Sequence, residues 1–128
     1  MDHPNDNLIP ERDREFLKEK EYEYNITPIG GSILVIIRNF EFPVNYMPQK
    51  SDLLIILPAG YPNAPLDMFR TNPDVKLLNG SWPVASEPHE VYLEKQWQRW
   101  SRHIDWRVGT DCLRTFISAV KKELSKGI

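Results

Sequence analysis

At 128 residues the chain has room for one domain with a buried core and not for two. Its 41% apolar and 27% charged residues suit a soluble globular protein, and a net charge of −2 gives no electrostatic case for nucleic acid or an anionic membrane. No apolar run approaches the roughly 20 residues of a membrane helix. From the polar start MDHPNDNLIPERDRE no secretory leader is expected, and the single cysteine, Cys112, leaves no partner for an internal disulfide and fits a reducing cytoplasm.

Residues 1–9 have the composition of a flexible end, and a single domain is expected over 10–128. Pro10 followed by Glu11, Asp13 and Glu15 reads as a helix start, because proline suits the first turn and acids favour the positive end of the dipole. That helix should run to about Lys20, burying Ile9, Phe16 and Leu17. Tyr22–Thr27 alternates apolar and polar residues as a first strand. Pro28-Ile29-Gly30-Gly31 turns the chain into Ser32–Phe42, whose β-branched run ILVII predicts a central strand covered on both faces. A turn over Pro43–Gln49 leads to a third strand, Asp52–Leu57, and Met68–Thr71 predicts a short fourth.

From Lys76 to Asp105 the periodicity is lost, and a long irregular loop is expected there, a kind of segment more often functional than idle. Order returns at Gly109–Asp111, with Asp111 as N-cap. Leu113, Phe116, Ile117, Val120 and Leu124 then define an amphipathic helix with Lys121, Lys122 and Lys126 at its negative end, stopped by Gly127. The order is helix, antiparallel strand meander, loop, helix. The expected class is α+β with helices on one side of the sheet.

One segment carries a family likeness. Leu53–Pro65, LLIILPAGYPNAP, runs an apolar strand into a loop where Pro58, Pro62 and Pro65 cannot continue the ladder, which makes a stiff corner anchored by Tyr61. This strand-plus-YPxxP arrangement resembles the ubiquitin-conjugating enzyme (UBC) superfamily, and the likeness covers most of residues 10–126. In that family a short strand, a His-Pro-Asn tripeptide and then a catalytic cysteine follow the corner. Here Thr71-Asn72-Pro73-Asp74-Val75 occupies the tripeptide's place, and Asn79-Gly80-Ser81-Trp82-Pro83 resembles the lead-in to the cysteine. Pro83 then stands where the nucleophile belongs, and proline cannot form a thioester. Trp106-Arg107-Val108-Gly109 resembles the segment before the family's next helix, and WQRWSRH ahead of a single last helix looks like a bacterial branch, family E. The resemblance implies a UBC-like fold, an antiparallel meander of about four strands with an N-terminal and one C-terminal helix. It also implies a ubiquitin-like protein, an activating enzyme and protein targets as partners, and no cofactor. Tyr61, the Pro58–Pro65 turn and the first helix would be the surface met by the activating enzyme.

The chemistry-bearing residues leave several readings open. Cys112, the only thiol, sits at a helix start where the dipole can lower a thiol pKa, yet its adjacency to Asp111 and its spacing to Phe116 favour packing. In the block Trp97–His103, Ser101 is a candidate to accept the modifier's C-terminal carboxylate as an oxyester, with His103 as general base. Arg99 or Arg102 would hold the carboxylate or oxyanion; alternatively Trp100 and its neighbours pin the loop to the core with arginines stacked on them. Asn72 and Asn79 are each candidates for the tripeptide asparagine, though Asn-Pro and Asn-Gly are also ordinary turns. Ser81 and Ser86 are further hydroxyls with His89 as the evident base, and Asp67 is a candidate base for an attacking amine. His3, His89 and His103 lie far apart and no CxxC occurs, so no metal site is indicated. Two functions follow: a transferase-like protein that receives or positions a ubiquitin-like modifier through an atypical nucleophile, or a non-catalytic UBC-like module that binds the modifier or its activating enzyme.

Overall fold

In the computed structural model, which describes residues 4–102 and 104–128, the run Ile33–Ile37 lies inside a six-stranded antiparallel sheet. The elements are α1 (Glu11–Glu19), β1 (Tyr24–Ile29), β2 (Ser32–Glu41), β3 (Tyr46–Met47), β4 (Lys50–Leu57), β5 (Phe69–Asn72), β6 (Lys76–Leu77), β7 (His89–Tyr92), β8 (Lys95–Trp100) and α2 (Leu113–Leu124). The sheet order is β1-β2-β4-β5-β8-β7, and β3 pairs separately with β6. The class is α+β as expected, with more strands than the four expected.

The extra strands lie in the stretch expected to be irregular. β7 and β8 form a hairpin in which Tyr92 faces Lys95, so its turn is only Leu93-Glu94. Both residues have positive φ, 53° and 63°. A two-residue hairpin turn of that kind normally announces itself as Asn-Gly or Asp-Gly. Leucine and glutamate in the left-handed region carry no such signal, which is why the hairpin is hidden in the sequence.

This hairpin explains the double burial of β2. One sheet face packs Val35, Ile37, Leu53, Ile55 and Phe69 against Phe16 and Leu17 of α1 and Phe116, Ile117 and Val120 of α2. The alternate residues Leu34, Ile36 and Leu54 point the other way and are closed over by Trp97, which is only 2% exposed. The Trp97 indole N–H donates to the Tyr92 carbonyl at 3.0 Å, so the ring leaves no orphan donor in its apolar site. A strand hairpin, not a third helix, covers the second face.

Two termini differ in detail from expectation. A single 3-10 turn, Asp6–Leu8, lies within the stretch expected to be flexible; beside it Asn5 donates to the Ile26 carbonyl at 2.8 Å, and Ile9 is buried. At α2 the N-cap is Cys112 and not Asp111. The Asp111 carboxylate is already used, accepting the Arg107 amide at 2.6 Å and closing the preceding turn. The Cys112 amide is instead satisfied by the Thr115 hydroxyl at 2.9 Å.

Candidate functional site

The corner after β5 is shaped by a buried side-chain amide. Proline supplies no donor at position 73, so the chain leaves the ladder there. Gln98 of β8, fully buried, takes over the pairing: its oxygen accepts the Thr71 hydroxyl at 2.8 Å and the Val75 amide at 2.7 Å. Its nitrogen donates to the Val75 carbonyl at 2.9 Å. From the sheet side, the Ser51 hydroxyl donates to the Pro73 carbonyl at 2.6 Å. Asn72 donates to the Gln96 carbonyl at 2.8 Å. The Asn72-Pro73-Asp74 tripeptide is therefore held rigidly from both sides.

With the backbone pinned, the Asp74 side chain meets His89 on β7. Both carboxylate oxygens lie 3.0 Å from His89 Nε2. An ionised carboxylate only accepts, so Nε2 carries a proton, and in the neutral ring Nδ1 is the lone-pair nitrogen. The imidazole packs edge-on against Trp82, with centroids 5.7 Å apart at 79°. The Lys76 ammonium lies 4.4 Å from the centre of the same indole, a cation–π contact. Trp82 follows a turn closed by Asn79, whose side-chain oxygen accepts the Ser81 amide at 2.9 Å. One solvent-facing cluster thus joins the tripeptide to the Asn79–Pro83 segment.

The block Trp97–His103 divides among different surroundings. Trp100 is fully buried, stacked on Phe69 with centroids 5.2 Å apart, and its indole N–H donates to the Thr71 hydroxyl. Arg99 pairs with Glu90 at 3.1 Å, and Arg70 takes the other Glu90 oxygen at 2.6 Å. Burial pushes the Glu90 carboxyl up, but the bonds and charges of the two arginines outweigh it and hold it below the usual range. Arg102 is buried, donating to the Val84 carbonyl at 3.1 Å and the Ile128 backbone oxygen at 2.6 Å, with Glu123 at 3.4 Å. Ser101 is half-buried with its hydroxyl 3.8 Å from the Met68 sulfur, and its amide donates to Ala85. His103, the base named for it, lies outside the described residues.

The remaining named residues sit elsewhere. Tyr61 donates to Asp13 of α1 at 2.7 Å, and its ring lies 6.1 Å from Trp106, whose indole donates to the Pro62 carbonyl. Trp106 is thus packed on the proline corner. Cys112 is buried at the start of α2. Ser86 is sealed inside, donating to the Pro83 carbonyl at 2.6 Å. The residues that converge are thus Asp74, His89, Trp82 and Lys76, with Gln98 beneath them. A signal for Asp74 was present, since it is the third residue of the Asn72-Pro73-Asp74 tripeptide. Nothing local marks Gln98, because its partners come from another strand. Among the described residues no cluster of three or more His, Cys, Asp or Glu has the makings of a metal site, and no helix is long and apolar enough to cross a membrane.

The chain thus sets an antiparallel sheet with both helices on one face beside a YPxxP corner and an ordered Asn-Pro-Asp tripeptide. Residues 9–127 match the model of prokaryotic E2 family E, and the chain belongs to that family. No curated protein and no solved structure matches it.

Proposed function

We propose that this protein takes the conjugating-enzyme position in a prokaryotic ubiquitin-like pathway, where it positions a modifier delivered by an activating enzyme and does so without a cysteine at the family's usual place. The observation that carries this reading is the cluster at the tripeptide: Asp74 and His89 in contact at 3.0 Å, with Trp82 from the segment that resembles the cysteine's lead-in. That cluster supports a site beside the tripeptide, while position 83 offers only a buried proline. Family membership supports the pathway. The link between Tyr61 and Asp13 supports a shared docking surface on α1 and the proline turn, because it holds the two as one unit.

Positioning is favoured over covalent receipt. The Cys112 thiol is buried at a helix start, and the Ser101 hydroxyl rests against a thioether and not a described base. The test is incubation with the cell's ubiquitin-like protein, its activating enzyme and ATP. Binding without a covalent adduct is the expected result. An adduct that survives reducing agent and vanishes in Ser101→Ala replaces positioning by an oxyester, and a thiol-sensitive one lost in Cys112→Ala replaces it by a thioester. Absence of any binding overturns the reading.

A further inference from the structure

We propose that His89 is the general base of this site and Asp74 its positioning residue, the substrate being a primary amine that attacks a thioester-linked ubiquitin-like tail. This rests on the function proposed above and names the group that moves the proton.

The argument is one of elimination and geometry. Near the tripeptide, Glu90 is committed to Arg70 and Arg99, the Ser86 hydroxyl is sealed against Pro83, and the Lys76 ammonium has no lone pair to offer. Among the described residues in contact with the tripeptide, His89 combines a fixed orientation with an uncommitted basic nitrogen. Its Nε2–H is held by both Asp74 oxygens at 3.0 Å, which selects the tautomer with the lone pair on Nδ1. The contact with Trp82 fixes the ring plane from a second direction. Side-chain exposures of 26% for His89 and 43% for Asp74 keep the pair open to an incoming substrate. A carboxylate behind the imidazole also stabilises the imidazolium that forms when the proton arrives.

The step balances as follows. The lone pair of the neutral amine attacks the thioester carbonyl carbon and an N–C bond forms. His89 Nδ1 takes a proton from the attacking nitrogen. The C–S bond breaks, and the departing thiolate of the activating enzyme receives that proton. The modifier's acyl group passes to the amine without resting on this chain, which fits a protein with proline at position 83.

The test is single-turnover discharge of thioester-loaded activating enzyme onto free L-lysine, with and without this protein, alongside the affinity of the loaded enzyme for it. Wild type should accelerate discharge. His89→Ala should cut that acceleration by about a hundredfold or more with affinity unchanged, and added imidazole should restore part of it. Asp74→Asn should lower kcat by about tenfold with KM unmoved, and Asp74→Glu should recover some of the loss. Discharge at the wild-type rate by His89→Ala, with binding intact, overturns the assignment and leaves the proposed function standing. So does a wild type that binds but does not accelerate. A wild type that fails to bind the loaded enzyme overturns both.

Discussion

The Tyr61 hydroxyl donates a 2.7 Å hydrogen bond to Asp13, a carboxylate with no solvent exposure. The other Asp13 oxygen accepts the Leu113 amide at 3.2 Å, at the first turn of α2. One side chain of α1 therefore ties together the proline corner and the start of the second helix. Burial raises the Asp13 carboxyl above its ordinary value despite the two hydrogen bonds that oppose the rise. Burial and the adjacent carboxylate likewise push the Tyr61 phenol up, so it stays a protonated donor.

Removing that carboxylate should be costly. Asp13→Ala orphans the buried Leu113 amide and the half-buried Tyr61 hydroxyl and should destabilise the fold by about 2–4 kcal/mol in urea denaturation. The pH dependence has a definite sign. A folded carboxyl with a raised pKa holds its proton more tightly than the unfolded one. Its contribution is therefore fully present below the ordinary aspartate range and is lost as pH rises through the raised value. The stability advantage of wild type over Asp13→Asn should shrink from acid to neutral pH; a growing advantage would contradict the account.

Gln98→Leu keeps the volume and removes the amide that serves Thr71 and Val75. The orphaned groups should cost about 2–4 kcal/mol. Hydrogen exchange at the Val75 amide should accelerate well beyond the global change in stability. Unchanged protection there would mean that the tripeptide is held by something other than Gln98.

Arg102 should behave as a structural residue. Its side chain is 4% exposed and joins the chain near Val84 to the end of α2. Arg102→Ala should lose about 2–4 kcal/mol of stability, while the fraction still folded binds modifier as wild type does. Loss of binding with stability intact would return Arg102 to the role of carboxylate holder.

The hairpin turn stores strain that can be relieved. Replacing Leu93-Glu94 by Asn-Gly puts residues that tolerate positive φ where both positions need it. Stability should rise by about 1–2 kcal/mol, read as a higher Tm. A lower Tm would show that the Leu93 side chain contributes more by packing than its backbone costs.

Cys112→Ser places a better N-cap residue at the start of α2 and should shift stability by less than about 1 kcal/mol. Modifier binding should be unaffected, because the thiol is buried at the start of α2. A loss of binding in this variant would reinstate the thiol as part of the site.

Local signals in the chain were sufficient for α1, the first strands, the proline corner and α2. Each rests on neighbours in sequence: acids after Pro10, the run Ile33–Ile37, prolines at 58, 62 and 65, and apolar residues at helical spacing from Leu113 to Leu124. The α+β class followed from those, and the family likeness from the proline corner together with the Thr71–Val75, Asn79–Pro83, Trp97–His103 and Trp106–Gly109 segments. Only the tertiary structure decided that Lys95–Trp100 is a strand, that Trp97 closes the second face of β2, and that Asp13 is a buried hub and not a surface acid of a helix start. It also brought Asp74 to His89 and set Gln98 beneath them. The reason is physical. Periodicity and turn chemistry report what a residue does with its near neighbours, whereas burial of a polar group depends on partners far along the chain.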